Sequence, residues 1–496
     1  MSTTKRHTQR KPEEIHAKRN RREAMSRVDT AWLRMERPTN PMMITGVLML
    51  AEPMPLTRLK HVVRTRFLDY ARFRQKAVDT AAGASWRDDE HFDLDWHVQP
   101  AALPGRGDKR ISEKQALERY VSQLASSPLD KSKPLWQFHL VEHYQGGSAL
   151  VARIHHSYAD GIALVQVLLS LTDTMRQPGK TALAKTWLQQ DGAKVARRVG
   201  AVERYAKLGG KVLEKGIEMY RDPTFAGVLA KEGGEIAREL VHALALPDDP
   251  PSLLRGKLGI AKRVAWAEPL DLDEVKAVGR ACDCTVNDVL MAAAAGALRD
   301  YMLERGEANL SGMTLRATVP VNLRPLEHAK KLGNHFGLVF LDLPVGEPNP
   351  IRRVERVAEC MNQLKKSRQA IVAYGLLAAL GMAPQPLQEL ALELFSRKAT
   401  TVATNVPGPQ QPLYLGGCTV REMMFWVPQT GSIGIGISIL SYNGHVHFGL
   451  IADAKLVPDP DAVIRRFRPE FEKLLYLALM GNWDYALDAV AAERLL

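Results

Sequence analysis

The run Ala149 to Ile154 is apolar except for Arg153 and reads as a buried strand. Upstream, Trp136 to Tyr144 reads as a second strand, and Gly146-Gly147 fits a two-residue hairpin turn between them. That turn sets Gln145 opposite Ser148 and Gln137 opposite His156. Downstream, Ile162 to Leu169 is apolar except for Gln166 and reads as a buried helix or an inner strand. Ile111 to Ala125 carries a one-sided apolar pattern, as expected of an amphipathic helix.

Past residue 185 the pattern changes. Trp187 to Lys215 and Phe225 to Leu244 read as basic amphipathic helices, closed by Pro247-Asp248-Asp249-Pro250-Pro251, which cannot continue a helix. Helices packed between domains and a helix pair lying on a membrane surface both fit; packing is the simpler. Alternating elements resume near Gly259. Helices are expected over Leu270 to Ala281 and from a Thr285 cap to about Leu303. Strands are expected over Leu315–Val321, Phe336–Leu343, Lys398–Asn405, Thr419–Trp426, Ile433–Ser441 and His445–Asp453. A helix over Ala462 to Leu479 is expected to break or kink near Pro469. The chain thus divides into a disordered basic extension (1–24), an α/β domain (25–185), a helical connector (186–258) and a second α/β domain (259–496).

The chain has 496 residues, too many for one ordinary core. Its 46% hydrophobic and 25% charged residues are those of a globular protein. No apolar run approaches the ~18 residues that cross a bilayer. The N-terminus shows no apolar signal core. Four cysteines form neither a disulfide framework nor a zinc pattern, and a reducing cytoplasm fits. The net charge is +12, and basic residues crowd the first two dozen positions: Lys5, Arg6, Arg10, Lys11, Lys18, Arg19, Arg21 and Arg22 against Glu13, Glu14 and Glu23. It suits either a solvated tail or an anionic surface, and no nucleic-acid motif accompanies it.

Two adjacent histidines, His155-His156, end the Ala149–Ile154 strand and open the pattern H-H-x-x-x-D-G through Asp160 and Gly161. Histidine is the side chain best suited to take a proton near neutral pH. Alternation along a strand puts His156 with Leu150, Ala152 and Ile154, and His155 with Val151 and Arg153, so only one can serve a given reacting atom. His139-Leu140-Val141-Glu142-His143 matches a zinc-protease pattern that needs a helix. On a strand its histidines stand about 13 Å apart, too far for one metal, and no metal is expected. Asn287, in the first turn of a helix, could donate to a developing oxyanion, while Asp288 suits capping. Thr404-Asn405-Val406-Pro407-Gly408-Pro409 reads as a strand end entering a type II turn with Pro407 and Gly408 central. Nucleophile-elbow, phosphate-loop and dinucleotide signatures are missing.

Met25–Leu33 with Pro41-Met42, then Pro134-Leu135-Trp136, the histidine motif, Asn287–Ala292, Val319–Arg324, Gly333-Asn334 and Asn405–Pro409 follow one another in an order that resembles the bacterial wax ester synthase/diacylglycerol acyltransferase family, in the chloramphenicol acetyltransferase-like superfamily. The likeness spans residue 25 to about 480. Ser157 stands where that family usually has Ala, Thr404 where it has Ser, and Val289-Leu290-Met291-Ala292 where it has Val-Val-Leu-Ala. The resemblance implies two chloramphenicol acetyltransferase-like α/β domains with a substrate tunnel between them. It implies acyl transfer from acyl-CoA, a co-substrate, to diacylglycerol or a long-chain alcohol, with no cofactor. It makes His156 the general base, Asn287 an oxyanion candidate, and His155, Asp160, Gly161 and Asp288 supports, Asp160 pairing with an Arg. Pro134, Leu135, Trp136, Asn405, Pro407 and Gly408 become tunnel candidates. It also implies a cytoplasmic enzyme held peripherally at the inner membrane or at lipid inclusions. A condensation-type transferase using a carrier-bound donor and a non-catalytic lipid-binding protein share the fold and stay open.

Overall fold

The computed structural model describes residues 22–80, 83–105, 108, 110–176, 246–323, 333–367, 369–380, 385–481 and 489–493. Nearly all of the basic extension, the connector helices read up to Leu244, and Arg324 lie outside them. The architecture is mixed α/β with two seven-stranded sheets and a small three-stranded one.

The first large sheet runs, in spatial order, Val98–Pro100, Trp136–Tyr144, Gly147–His155, Met43–Leu50, Cys418–Trp426, Leu413–Leu415 and Thr172–Asp173. Gly147–His155 is buried at every position, Ser148, Arg153 and His155 included. The two glycines of the hairpin do different work. Gln145 and Gly146 both have positive φ, 47° and 79°, and form the turn. Gly147 already belongs to the strand, where a Cβ would lie 2.0 Å from the Leu50 carbonyl oxygen. The pairing therefore differs from the one expected: Tyr144 faces Gly147, and after an irregularity Gln137 faces Arg153 rather than His156.

The second sheet runs Leu270–Asp271, His445–Asp453, Ile435–Tyr442, Thr401–Pro407, Leu315–Asn322 and Phe336–Leu343, with Lys262–Trp266 also on His445–Asp453. The helix Val286–Glu304 is capped by Thr285, and Asp288 returns the bond to the Thr285 N–H. Asp288 is thus a capping residue. Pro460–Met480 is one helix with Pro469 inside it, so the proline does not end the helix as a break there would. Pro469 sits on the exposed face, where water can serve the carbonyl that loses its partner. The helices Pro350–Lys366, Gln369–Leu380 and Gln385–Ser396 were not read from the sequence.

Two features lock the halves together. The strand Cys418–Trp426, expected over Thr419–Trp426 in the second half, crosses with the short Leu413–Leu415 into the first sheet, where Trp426 pairs with Thr45 and Val420 with Leu50. The chain returns to its own sheet at Ile435–Tyr442. Conversely, the helix Glu113–Ala125 of the first half covers the edge of Lys262–Trp266. Ser126, Ser122 and Glu118 accept from the N–H groups of Lys262, Val264 and Trp266 at 2.8, 2.9 and 3.3 Å. Four helical residues rise about 6 Å and two strand residues about 6.7 Å, so one helix face can serve alternate N–H groups of an otherwise open edge.

Candidate active site

The strand Gly147–His155 ends one residue before His156, which begins the turn that follows. The two histidines part because the strand stops there, and simple alternation does not continue through His156. Its N–H donates to the Met42 carbonyl at 2.7 Å. Tyr158 pins the turn: its hydroxyl donates to Gln75 O (2.6 Å) and accepts from the Leu135 N–H (3.0 Å). Asp160 caps the helix Gly161–Ser170, taking the Ala163 N–H on Oδ1 (2.8 Å) and the His335 N–H on Oδ2 (3.1 Å). Gly161 is the first residue of that helix.

His155 is wholly buried and structural. Its Nδ1 accepts the Ser157 N–H at 3.1 Å and meets the Ser157 hydroxyl at 2.9 Å, while Nε2 lies 3.7 Å from Glu36. Burial first, then His156, holds its pKa down to about 3. The hydroxyl peculiar to Ser157 thus serves His155.

His156 has different neighbours. Trp32, from the helix Arg27–Arg34, stacks on its ring at 4.1 Å, and Phe336 stands tilted at 5.6 Å. The Asn334 side chain donates to the His156 carbonyl at 2.9 Å and to Asp29 at 2.8 Å. Burial pushes His156 down to about 4, opposed by the negative charge of Asp160 and by hydrogen bonding. The imidazole is therefore neutral at pH 7, the form that accepts a proton.

His156, Asp160 and Asn405 line a cavity of about 700 Å³ including its open mouth, walled by Phe336, Val402, Thr404 and Phe425 among others. It shares Trp32, Thr318, Leu338 and Thr430 with a second cavity of about 820 Å³, whose further walls include Val372, Leu376, Leu377, Leu392 and Phe395. The second cavity is almost entirely apolar. It is bounded by the helices Gln369–Leu380 and Gln385–Ser396 and adjoins the cavity that His156 lines.

Several expected site residues take other places. Asn287 does not line either cavity; its Oδ1 accepts from the Asn405 amide at 2.8 Å, so it steadies a residue that does. Pro134, Leu135 and Trp136 adjoin the motif, since His155 donates to Leu135 O, but they are core. Trp136 is fully buried, stacked on His97 and bonded to Phe73 O. Pro407 and Gly408 line neither cavity either. Gly408 has no positive φ and forms no type II turn; its missing Cβ clears the Ser441 oxygen, 2.3 Å from where it would lie. His139 lies on a strand against Tyr120 at 3.0 Å. Trp32, Asp29 and Asn334 are not among the expected site residues, although Met25–Leu33 and Gly333-Asn334 are part of the family resemblance. Pairings across some 300 residues leave no local signal.

Residues 25–290 match the model of the wax ester synthase/diacylglycerol acyltransferase catalytic domain, and residues 332–475 that of the WS/DGAT C-terminal domain. A probable diacylglycerol O-acyltransferase of Mycobacterium tuberculosis is 30% identical over 414 residues, covering 82% of this chain and 84% of its own. A second, putative one from the same organism is 29% identical over 486 residues, covering 91% and 90%. Among solved structures, the wax ester synthase/diacylglycerol acyltransferase of Marinobacter aquaeolei VT8 superposes with a TM-score of 0.66 at 21% identity, over 92% of this chain and all of that one. The first condensation domain of the calcium-dependent antibiotic synthetase reaches 0.57 at 16% identity, over 94% and 98%. At these identities the two structures show a shared fold, the chloramphenicol acetyltransferase-like one.

Proposed function

Because the chain belongs to the wax ester synthase/diacylglycerol acyltransferase family, we propose that it transfers a long-chain acyl group from acyl-CoA to the hydroxyl of diacylglycerol or a long-chain alcohol, with His156 as general base. The observation that carries this reading is a buried, neutral imidazole on the wall of a cavity that shares four lining residues with a second, almost entirely apolar one.

His156 takes the hydroxyl proton as the alcohol oxygen attacks the thioester carbonyl. The tetrahedral centre then collapses, the C–S bond breaks, and the imidazolium returns the proton to the CoA thiolate. Base catalysis of this kind contributes about 10²–10⁴-fold. No cofactor enters, since acyl-CoA is a co-substrate and both substrates meet at one histidine. Asn405 faces the cavity and is the nearer candidate to hold the developing oxyanion, with Asn287 fixing its amide. The second cavity, lined almost wholly by aliphatic and aromatic side chains such as Val372, Leu376, Leu377, Leu392 and Phe395, takes an aliphatic chain. Substrates this apolar reach the enzyme from a lipid surface, to which it binds peripherally. No single helix among the described residues is long and apolar enough to cross a membrane.

The test is product identification by mass spectrometry after incubation with palmitoyl-CoA and either dioleoylglycerol or hexadecanol. Triacylglycerol or wax ester is expected. If neither ester forms, while a carrier-bound acyl group is transferred, the reading fails in favour of a condensation-type reaction.

A further inference from the structure

We propose that Asn334 is a positioning residue for the acyl-transfer step, holding the main-chain carbonyl of His156 while Asp29 holds Asn334. The proposal rests on His156 being the base.

Asn334 is buried, and both hydrogens of its amide are used. One goes to Asp29 Oδ1 at 2.8 Å and the other to His156 O at 2.9 Å. The Asn334 main-chain N–H also donates to Asp29 Oδ1, at 3.1 Å. The amide oxygen is buried and has no hydrogen-bond partner among the described residues, so two acceptors on the other side set the amide's orientation. Only a side-chain amide offers two neutral donors in this fork: a carboxylate offers none and a hydroxyl one.

The need for such a grip follows from the chain path. His156 is past the end of its strand, and its N–H is its last tie to the sheet. A buried carbonyl there requires a donor. The donor comes from the second half of the chain, while the histidine belongs to the first. On either side of Asn334 the same segment pairs with the motif: Gly333 N–H to Tyr158 O (3.1 Å), Asp160 N–H to Gly333 O (3.4 Å) and His335 N–H to the Asp160 carboxylate. Asp29 stands on the N-terminal helix that also carries Trp32, so the helix that supports Asn334 covers the imidazole as well. Turning the His156 carbonyl turns its Cα–Cβ bond and moves the ring. Displacements of about 0.5–1 Å at a reacting group cost much of its rate.

The test measures kcat, both KM values and melting temperature for N334A, N334D, the exchange variant D29N/N334D and H156A, with palmitoyl-CoA and hexadecanol or dioleoylglycerol. N334A is expected to lose at least tenfold in kcat with both KM values within twofold. The exchange keeps a donor–acceptor pair between positions 29 and 334 but points no hydrogen at His156 O. It is expected to regain melting temperature over N334D alone, without regaining kcat. Recovery of kcat together with stability, or N334A at parental kcat, overturns the proposal. If the exchange variant does not fold, D29N replaces it, since its amide oxygen still accepts from Asn334 and leaves the donor to His156 O in place: a kcat loss at least fivefold smaller than that of N334A supports the proposal, and any larger loss overturns it. An active H156A instead defeats the reading beneath, whatever Asn334 does.

Discussion

Trp32 lies flat on the imidazole of His156, the ring centroids 4.1 Å apart and the planes within 19°. The contact closes one face of the ring and places an indole π-cloud where an imidazolium forms during proton transfer. A desolvated cation over an aromatic face gains about 2 kcal/mol, enough to change a rate more than tenfold. Trp32→Leu should lower kcat about tenfold in a variant that melts cooperatively, and Trp32→Phe should restore most of it. Parental kcat in Trp32→Leu would show that the indole merely fills space.

The pH dependence follows from the burial of His156. A base held down to about 4 is already neutral at pH 6, so protonation does not limit it there. An ordinary histidine would lose half its activity near pH 6.5 as the pH falls. The expected kcat/KM is flat from pH 8 to about 5.5. A reversible half-loss near 6.5 would mean that His156 is solvated in the working enzyme.

Asn405 faces the cavity and Asn287 stands behind it, bonded at 2.8 Å. If the pair acts as a unit, the losses do not add. Asn405→Ala should lower kcat ten- to a hundredfold, and Asn287→Ala nearly as much. The double variant should be within about threefold of Asn405→Ala. Multiplicative losses would give Asn287 an independent role.

Glu118 links the halves through the Trp266 N–H, and burial first, then Asp461, pushes its pKa up to about 8. A carboxyl raised in the folded state binds a proton there between pH 4.5 and 8 that the unfolded chain has lost. Its charge therefore costs stability increasingly as pH rises through that window, and nothing below it. Glu118→Gln should raise the melting temperature most at pH 8 and leave it unchanged near pH 4.5. A gain independent of pH would contradict the assignment.

Local pattern made much of this fold legible. Phe336–Leu343 and His445–Asp453 run as read, and Thr285 caps its helix as expected, because alternation and capping are short-range properties. The hairpin register was not legible. Two consecutive glycines look alike in sequence, yet Gly146 is needed for its positive φ and Gly147 for its contact with Leu50. Nor was the crossing of Cys418–Trp426 into the first sheet, since a strand's pattern names its faces and not its neighbours. In the site, His156 could be singled out because its motif is contiguous. Asn334 and Trp32 act on it from 178 and 124 residues away, and only the fold brings them there.

The central claim is that His156 removes the proton from an alcohol that then takes the acyl group. The most direct measurement is alcohol-dependent CoA release from palmitoyl-CoA by the parent protein and by H156A, with melting temperatures recorded beside it. The account predicts release that requires hexadecanol or dioleoylglycerol and falls at least a hundredfold in an H156A protein of unchanged stability. Alcohol-dependent release that survives in H156A would contradict it.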